Sequence, residues 1–176
     1  MCAAAVTKRG SRDAILDAAN ALVRELGVSR MTLDAVAARA GLSKGGLLYN
    51  FPSKDALVRG MIERFVETLN APSEGKVAER IADIRLAKIE NLPDKNRASH
   101  SMLAAIAENP SLLEPIREAH AKLWAEIKLS GEDADKALTT WLAVEGLCFF
   151  EMFATSPLSD EERAAVIAKL RAMAAA

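Results

Sequence analysis

Between Thr32 and Asn50 the chain carries two short amphipathic runs joined by one tight turn, and few folds can use such a pair. The first run puts Leu33, Val36, Ala37 and Ala40 on one helical face, with Thr32 as N-cap and Asp34 in the positive first turn. Gly41 stops it, and Ser43 caps a second run that reaches about Asn50. Two helices joined by Ala40-Gly41-Leu42-Ser43 have the layout of a helix-turn-helix, spanning about 32–51. In that motif the first helix braces against the DNA backbone and the exposed N-terminal half of the second enters the major groove.

The flanking sequence supplies what the motif needs to bury its apolar side. Upstream, Ile15, Ala18, Ala19, Leu22, Val23 and Leu26 fall at helical spacing before Gly27, which predicts a first helix over about 11–26. Downstream, Pro52 breaks the chain, Ser53 caps again, and Leu57, Val58, Met61, Ile62, Phe65, Val66 and Leu69 form the stripe of a longer fourth helix. After the breaker Asn70-Ala71-Pro72-Ser73, further helices are predicted over about 74–90, 94–108, 111–129, 132–155 and 159–174. Ser159 to Glu162 forms a capping box before the last of them. With 5% aromatic residues and no long alternating β-branched runs, the reading is an all-α protein of about nine helices. Residues 1–10 are expected as a disordered arm, 11–70 as a DNA-binding domain ending in the linking fourth helix, and 72–176 as a helical body.

Gly45-Gly46 is an unusual pair for so short a helix, costing about 1 kcal/mol each relative to Ala. Absent side chains let a backbone approach DNA closely. Lys44, Tyr49 and Asn50 are left on the recognition side, while Leu33, Val36, Ala37, Leu42 and Leu47 can face a core with the first helix.

The run MTLDAVAARAGLSKGGLLYNFPSKDAL from Met31 to Leu57, preceded by RDAILDAANALVRELG from Arg12 to Gly27, resembles the DNA-binding domain of the TetR family of bacterial repressors. The resemblance implies that Thr32, Ser43, Lys44, Gly45, Tyr49 and Lys54 sit where such proteins contact phosphates and base edges, and Gly46 and Asn50 join them as candidates. Their chemistry agrees: Lys44 and Lys54 are cations, Thr32 and Ser43 combine hydroxyls with helix N-termini, and Tyr49 offers a phenol. Family members often carry an aromatic residue just before the Tyr49 position and a His just after it; here those are Leu48 and Asn50. Leu48 can make no polar phosphate contact and is free to turn toward the core. Asn50 can donate to phosphate.

Charge is distributed unevenly. Residues 1–54 carry eight Lys or Arg against four acids, a net of +4, and the remainder carries fifteen against twenty, a net of −5. A basic module on an acidic body suits a protein that meets a polyanion at one end. Cys2 and Cys148 lie far apart in unlike surroundings, so neither a disulfide framework nor a Cys-based metal site is expected. No signal peptide or membrane span is read from the sequence, and the expected location is the bacterial cytoplasm, on the nucleoid through bound DNA. Phosphate loops, nucleophile elbows and paired ligand motifs are missing, so neither enzymatic activity nor a cofactor is expected.

Beyond residue 70 the resemblance covers only general layout and implies a body that dimerises and encloses a small-molecule pocket. Trp141 to Phe153 is apolar around nearly its whole circumference, so it must be covered on several sides. A homodimer through helices eight and nine, with Leu142, Phe149, Val166, Ile167 and Leu170, would cover it. His100, Met102, Trp124, Trp141, Glu145 and Phe149 could line a pocket for an apolar inducer; core packing is the alternative for each, and pairing with an Arg is the alternative for Glu145. His100 and His120 with Glu108 and Glu118 do not make a metal site, because residues two apart point to different helical faces. The function expected is a repressor that binds operator DNA as a homodimer and is released by a small molecule. The alternatives are an activator, or an interaction module that has lost DNA binding.

Overall fold

The computed structural model describes residues 8–70, 74–90 and 105–176, and among these residues there are helices and no strands. Helices α1 (Lys8–Leu26), α2 (Leu33–Arg39), α3 (Lys44–Asn50) and α4 (Lys54–Leu69) form the head. The body has α5 (Val77–Glu90), a short helical segment α6 at 105–108, a 3-10 turn Pro110–Leu113, α7 (Glu114–Leu129), α8 (Ala134–Phe153) and α9 (Asp160–Ala175). Residues 8–10, expected in a disordered arm, are the first turn of α1, because the good helix formers Lys8 and Arg9 extend it backwards. Most of the helix expected over 94–108 lies outside the described residues.

Local chemistry places the helix starts. Thr32, Ser43 and Ser53 each accept the backbone N–H three residues ahead, at 3.2, 3.1 and 3.0 Å, capping α2, α3 and α4. Ser159 and Glu162 form the reciprocal capping box of α9, with Ser159 N–H donating to Glu162 Oε2 at 2.8 Å. Helix α2 ends in a Schellman motif: Gly41 is left-handed at φ 68°, Gly41 N–H donates to Ala38 O, and Leu42 N–H donates to Ala37 O.

Among the described residues two hydrophobic cores result. The head buries Ile15, Leu16 and Ala19 of α1 against Val36, Leu47, Leu57 and Val58, and Leu48 packs on the rim of this cluster as the sequence suggested. Leu112 belongs to the same core, with Ile106 and Ile116 against it, so residues beyond 105 complete the head. Asn109 also donates from Nδ2 to Asp55 Oδ2 of α4 at 2.9 Å. The body core joins Ile81, Leu86 and Ile89 of α5 with Val144 and Leu147 of α8 and Ile167 and Leu170 of α9.

A three-part interlock fixes α4 against α1 and the end of α3. The Phe51 ring lies so close to Gly60 that a Cβ there would meet its Cε1 at 2.5 Å. On the ring, the Arg12 guanidinium sits 5.4 Å from its centroid and pairs with Glu63 at 3.3 Å. Gly60→Ala is expected to cost about 1–3 kcal/mol, the range for overpacking, read as a lower urea midpoint.

Candidate nucleic-acid interface

Helices α2 and α3 present one face to solvent. On it, Thr32, Ser43, Lys44, Gly45 and Tyr49 are exposed, and Gly46, Asn50 and Lys54 are half-buried. Seven of the eight candidates cap or lie on α2 and α3 and Lys54 opens α4, and they are not equivalently placed. The Thr32 and Ser43 hydroxyls accept from the backbone as caps, which leaves each O–H proton to donate outward. Tyr49 is 74% exposed at the distal part of α3. Lys54 donates to the Ser29 carbonyl at 3.0 Å, so one of its three N–H groups is used and the ammonium is tied to the turn before α2. Asn50 turns its Nδ2 back to Gly46 O at 3.0 Å, an internal bond that DNA contact would have to share or break.

Two ion pairs at or behind this face were not anticipated. Lys44 pairs with Asp34 across the turn at 3.0 Å, in an exposed ion pair. Asp34 reads from the sequence only as a first-turn acid, and nothing in a spacing of ten residues announces the pairing. Behind the face, Arg39 bonds Glu25 of α1 at 2.8 Å, and that hydrogen bond holds the Glu25 carboxyl below the usual range.

The glycine pair has no internal cause. Both glycines lie outside the left-handed region, a Cβ on Gly45 would meet nothing within 4 Å, and one on Gly46 would meet the Ser43 Oγ at an ordinary 3.4 Å. The contrast with Gly60, whose hydrogen is demanded by Phe51, is direct.

The body holds a half-open cavity of about 290 Å³ between the end of α4, α5 and α7. Leu69, Ile81 and Leu123 give it an apolar wall, and Arg80, Arg85 and Lys122 give it cations. None of the described sequence candidates lines it. His100 and Met102 lie outside the described residues, Trp124 and Phe149 are 40% and 53% exposed, and Trp141 donates to Glu145 at 3.1 Å. Glu145 is the partner of buried Arg85 at 2.7 Å, the alternative foreseen for it. Burial pushes the Cys148 thiol up to about 12, which keeps it protonated at neutral pH. Among the described residues no cluster of His, Cys, Asp or Glu could hold a metal, and no helix is long and apolar enough to cross a membrane.

Residues 15–61 match the family of bacterial regulatory proteins of TetR type, and residues 75–175 match the tetracyclin repressor-like C-terminal domain. The chain belongs to the TetR family. The second match alone spans more than half of the sequence, and the first contains the whole helix-turn-helix. Solved structures agree in fold. Salmonella enterica GusR is 20% identical with a TM-score of 0.62, covering 93% of each chain. A transcriptional regulator from Rhodococcus sp. Rha1 is 22% identical with a TM-score of 0.59, covering 94% of each. Escherichia coli NemR in its reduced form is 20% identical with a TM-score of 0.55, covering 92% of this chain and 95% of that one. No curated protein matches the chain. As a TetR-family member it is a transcriptional regulator, and its all-helical, two-part architecture follows the family's.

Proposed function

We propose that this TetR-family protein is a repressor that binds a pseudo-palindromic operator as a homodimer, with α3 of each protomer in the major groove, and that a small molecule bound in the body releases it. The observation that carries the DNA-binding part is the glycine pair. It lies in a Ser43-capped helix, is unneeded by any internal neighbour, and is flanked by Lys44 and Tyr49 on the exposed face. A regulator that works on DNA would reside with the nucleoid in the cytoplasm.

Dimerisation is supported by α8, where Leu142, Phe149, Phe150 and Phe153 are exposed and Phe149 stacks on Phe153 at 6.0 Å. Gly146 lies along the same stripe, and a Cβ there would meet nothing within 4 Å. Such a patch calls for a cover, and a two-fold axis supplies one. Ile167 and Leu170, grouped above with the interface, are 3% and 9% exposed and face their own body core instead. The interface offered by α9 is its alanine-rich outer side with Met173.

Operator titration across a salt series tests the DNA-binding reading. Log affinity should fall steeply with log salt, since several Lys and Arg would neutralise phosphates. Lys44→Ala and Tyr49→Ala should each weaken binding by about 1–3 kcal/mol with helicity unchanged. Gly45→Ala should stabilise the free protein by up to about 1 kcal/mol and yet weaken operator binding. A flat salt response in the parent protein would favour the interaction-module alternative and sink this reading.

A further inference from the structure

The charge balance around the body cavity points to a ligand class. Arg80, Arg85 and Lys122 face the cavity against one lining carboxylate, Glu126. Glu126 is already matched by Arg80 at 2.6 Å, and Glu145, outside the lining, matches Arg85 at 2.7 Å. Lys122 has no carboxylate partner among the described residues. The Arg85 side chain is only 5% exposed, and a guanidinium carries five N–H donors, more than Glu145 can satisfy alone. Behind it, one turn along α5, Lys88 lies 5.0 Å from the Phe65 ring centroid and contacts the Thr68 hydroxyl. Burial above all, and then the nearby Arg85, push the Lys88 ammonium below the usual lysine range.

A cation entering this space would meet like charge, an apolar molecule would leave the Arg85 donors unsatisfied, and a neutral acceptor would bond them without matching the positive charge. An anion with an apolar portion fits both halves of the site, its charge toward Lys122 and Arg85 and its apolar part on Leu69, Ile81 and Leu123. We infer that the cavity binds an amphiphilic organic anion, a carboxylate or sulfonate on a hydrophobic scaffold, in place of the apolar molecule that the sequence suggested. This rests on the ligand-responsive part of the function proposed above. The site is well placed for that role, because Leu69 and Asn70 are the last turn of α4, whose other end follows directly on α3.

Two fluorogenic dyes that differ chiefly in charge make the test: 1-anilinonaphthalene-8-sulfonate, and N-phenyl-1-naphthylamine, which lacks the sulfonate. Titrated into the full-length protein without DNA, the sulfonate should bind at least tenfold more tightly. Lys122 is exposed, so Lys122→Glu should keep its circular dichroism while losing that preference, and Lys122→Arg should retain it. Equal binding of the two dyes, no binding of the sulfonate, or a preference that survives Lys122→Glu would overturn the inference. A parallel operator titration separates the site from the switch: selective sulfonate binding that leaves operator affinity unchanged would uphold the anion site and refute ligand release.

Discussion

Phe149→Glu is expected to give a folded monomer that has lost operator affinity at least a hundredfold. Phe149 is 53% exposed within the protomer, so a polar replacement removes little from the body core, and a surface change of this kind typically alters stability by about 0.5 kcal/mol or less. In a dimer the same position would put two carboxylates into an apolar seam with no cation to meet them, and the seam should open. The loss on DNA follows from geometry. A dimer places two recognition helices about one helical turn, roughly 34 to 36 Å, apart, and binding of the first half-site presents the second at high effective concentration. Splitting the dimer forfeits that gain, which ordinarily reaches about 10² to 10⁴. Sedimentation gives the mass, circular dichroism the helicity, and operator titration the affinity. A variant that stays dimeric and binds normally would move the interface away from α8.

Arg163→Met should be the most destabilising of the substitutions considered, at about 3–5 kcal/mol. The Glu151 side chain is 3% exposed on α8, and Arg163 Nε bonds its Oε1 at 2.9 Å while Nη2 donates to the Ile89 carbonyl at 2.9 Å. One side chain thus ties α9 to both α8 and the end of α5. Without it the buried carboxylate loses the Arg163 guanidinium and the Ile89 carbonyl loses a donor, against a total stability of about 5–15 kcal/mol for a typical domain. The double variant Glu151→Met/Arg163→Met should recover much of the loss, since apolar replacement of both partners is often near neutral. Urea melts of the parent, both single variants and the double variant give the coupling. A single Arg163→Met variant as stable as its parent would show that the pair contributes nothing.

What was legible in the sequence was what is chemically local. Thr32, Ser43, Ser53 and Ser159 each reach a backbone N–H three residues away, so their roles are fixed before any tertiary contact forms. Gly41 ends α2 for an equally local reason, its left-handed backbone. The glycine pair and the exposed Lys44 and Tyr49 were readable because α3 is short and only one of its sides can be apolar. The contacts that modify this face were not readable. Lys44 with Asp34 and Lys54 with the Ser29 carbonyl depend on how a turn aims side chains. Helix α8 is apolar on nearly every side, so its sequence could not divide core from outer face, and Ile167 and Leu170 of α9 were assigned to the wrong one. The cations at the cavity were not readable, because Arg80 and Arg85 come from α5 and Lys122 from α7, and their convergence is a property of packing.

The burial of Leu112 in the head core has a consequence for engineering. Regulators of this kind invite chimeras, in which one protein's reading head is fused to another's sensor, and the obvious cut is the break after residue 70. A graft made there would leave the Leu112 seat on the head to be filled by whatever residue the new sensor brings, and would remove the Asn109 amide from Asp55. The seam that transplants cleanly is three-dimensional. It keeps residues 105–116 in register with α4, so a working hybrid must either carry that segment along with the head or choose a sensor whose own equivalent has been matched to it.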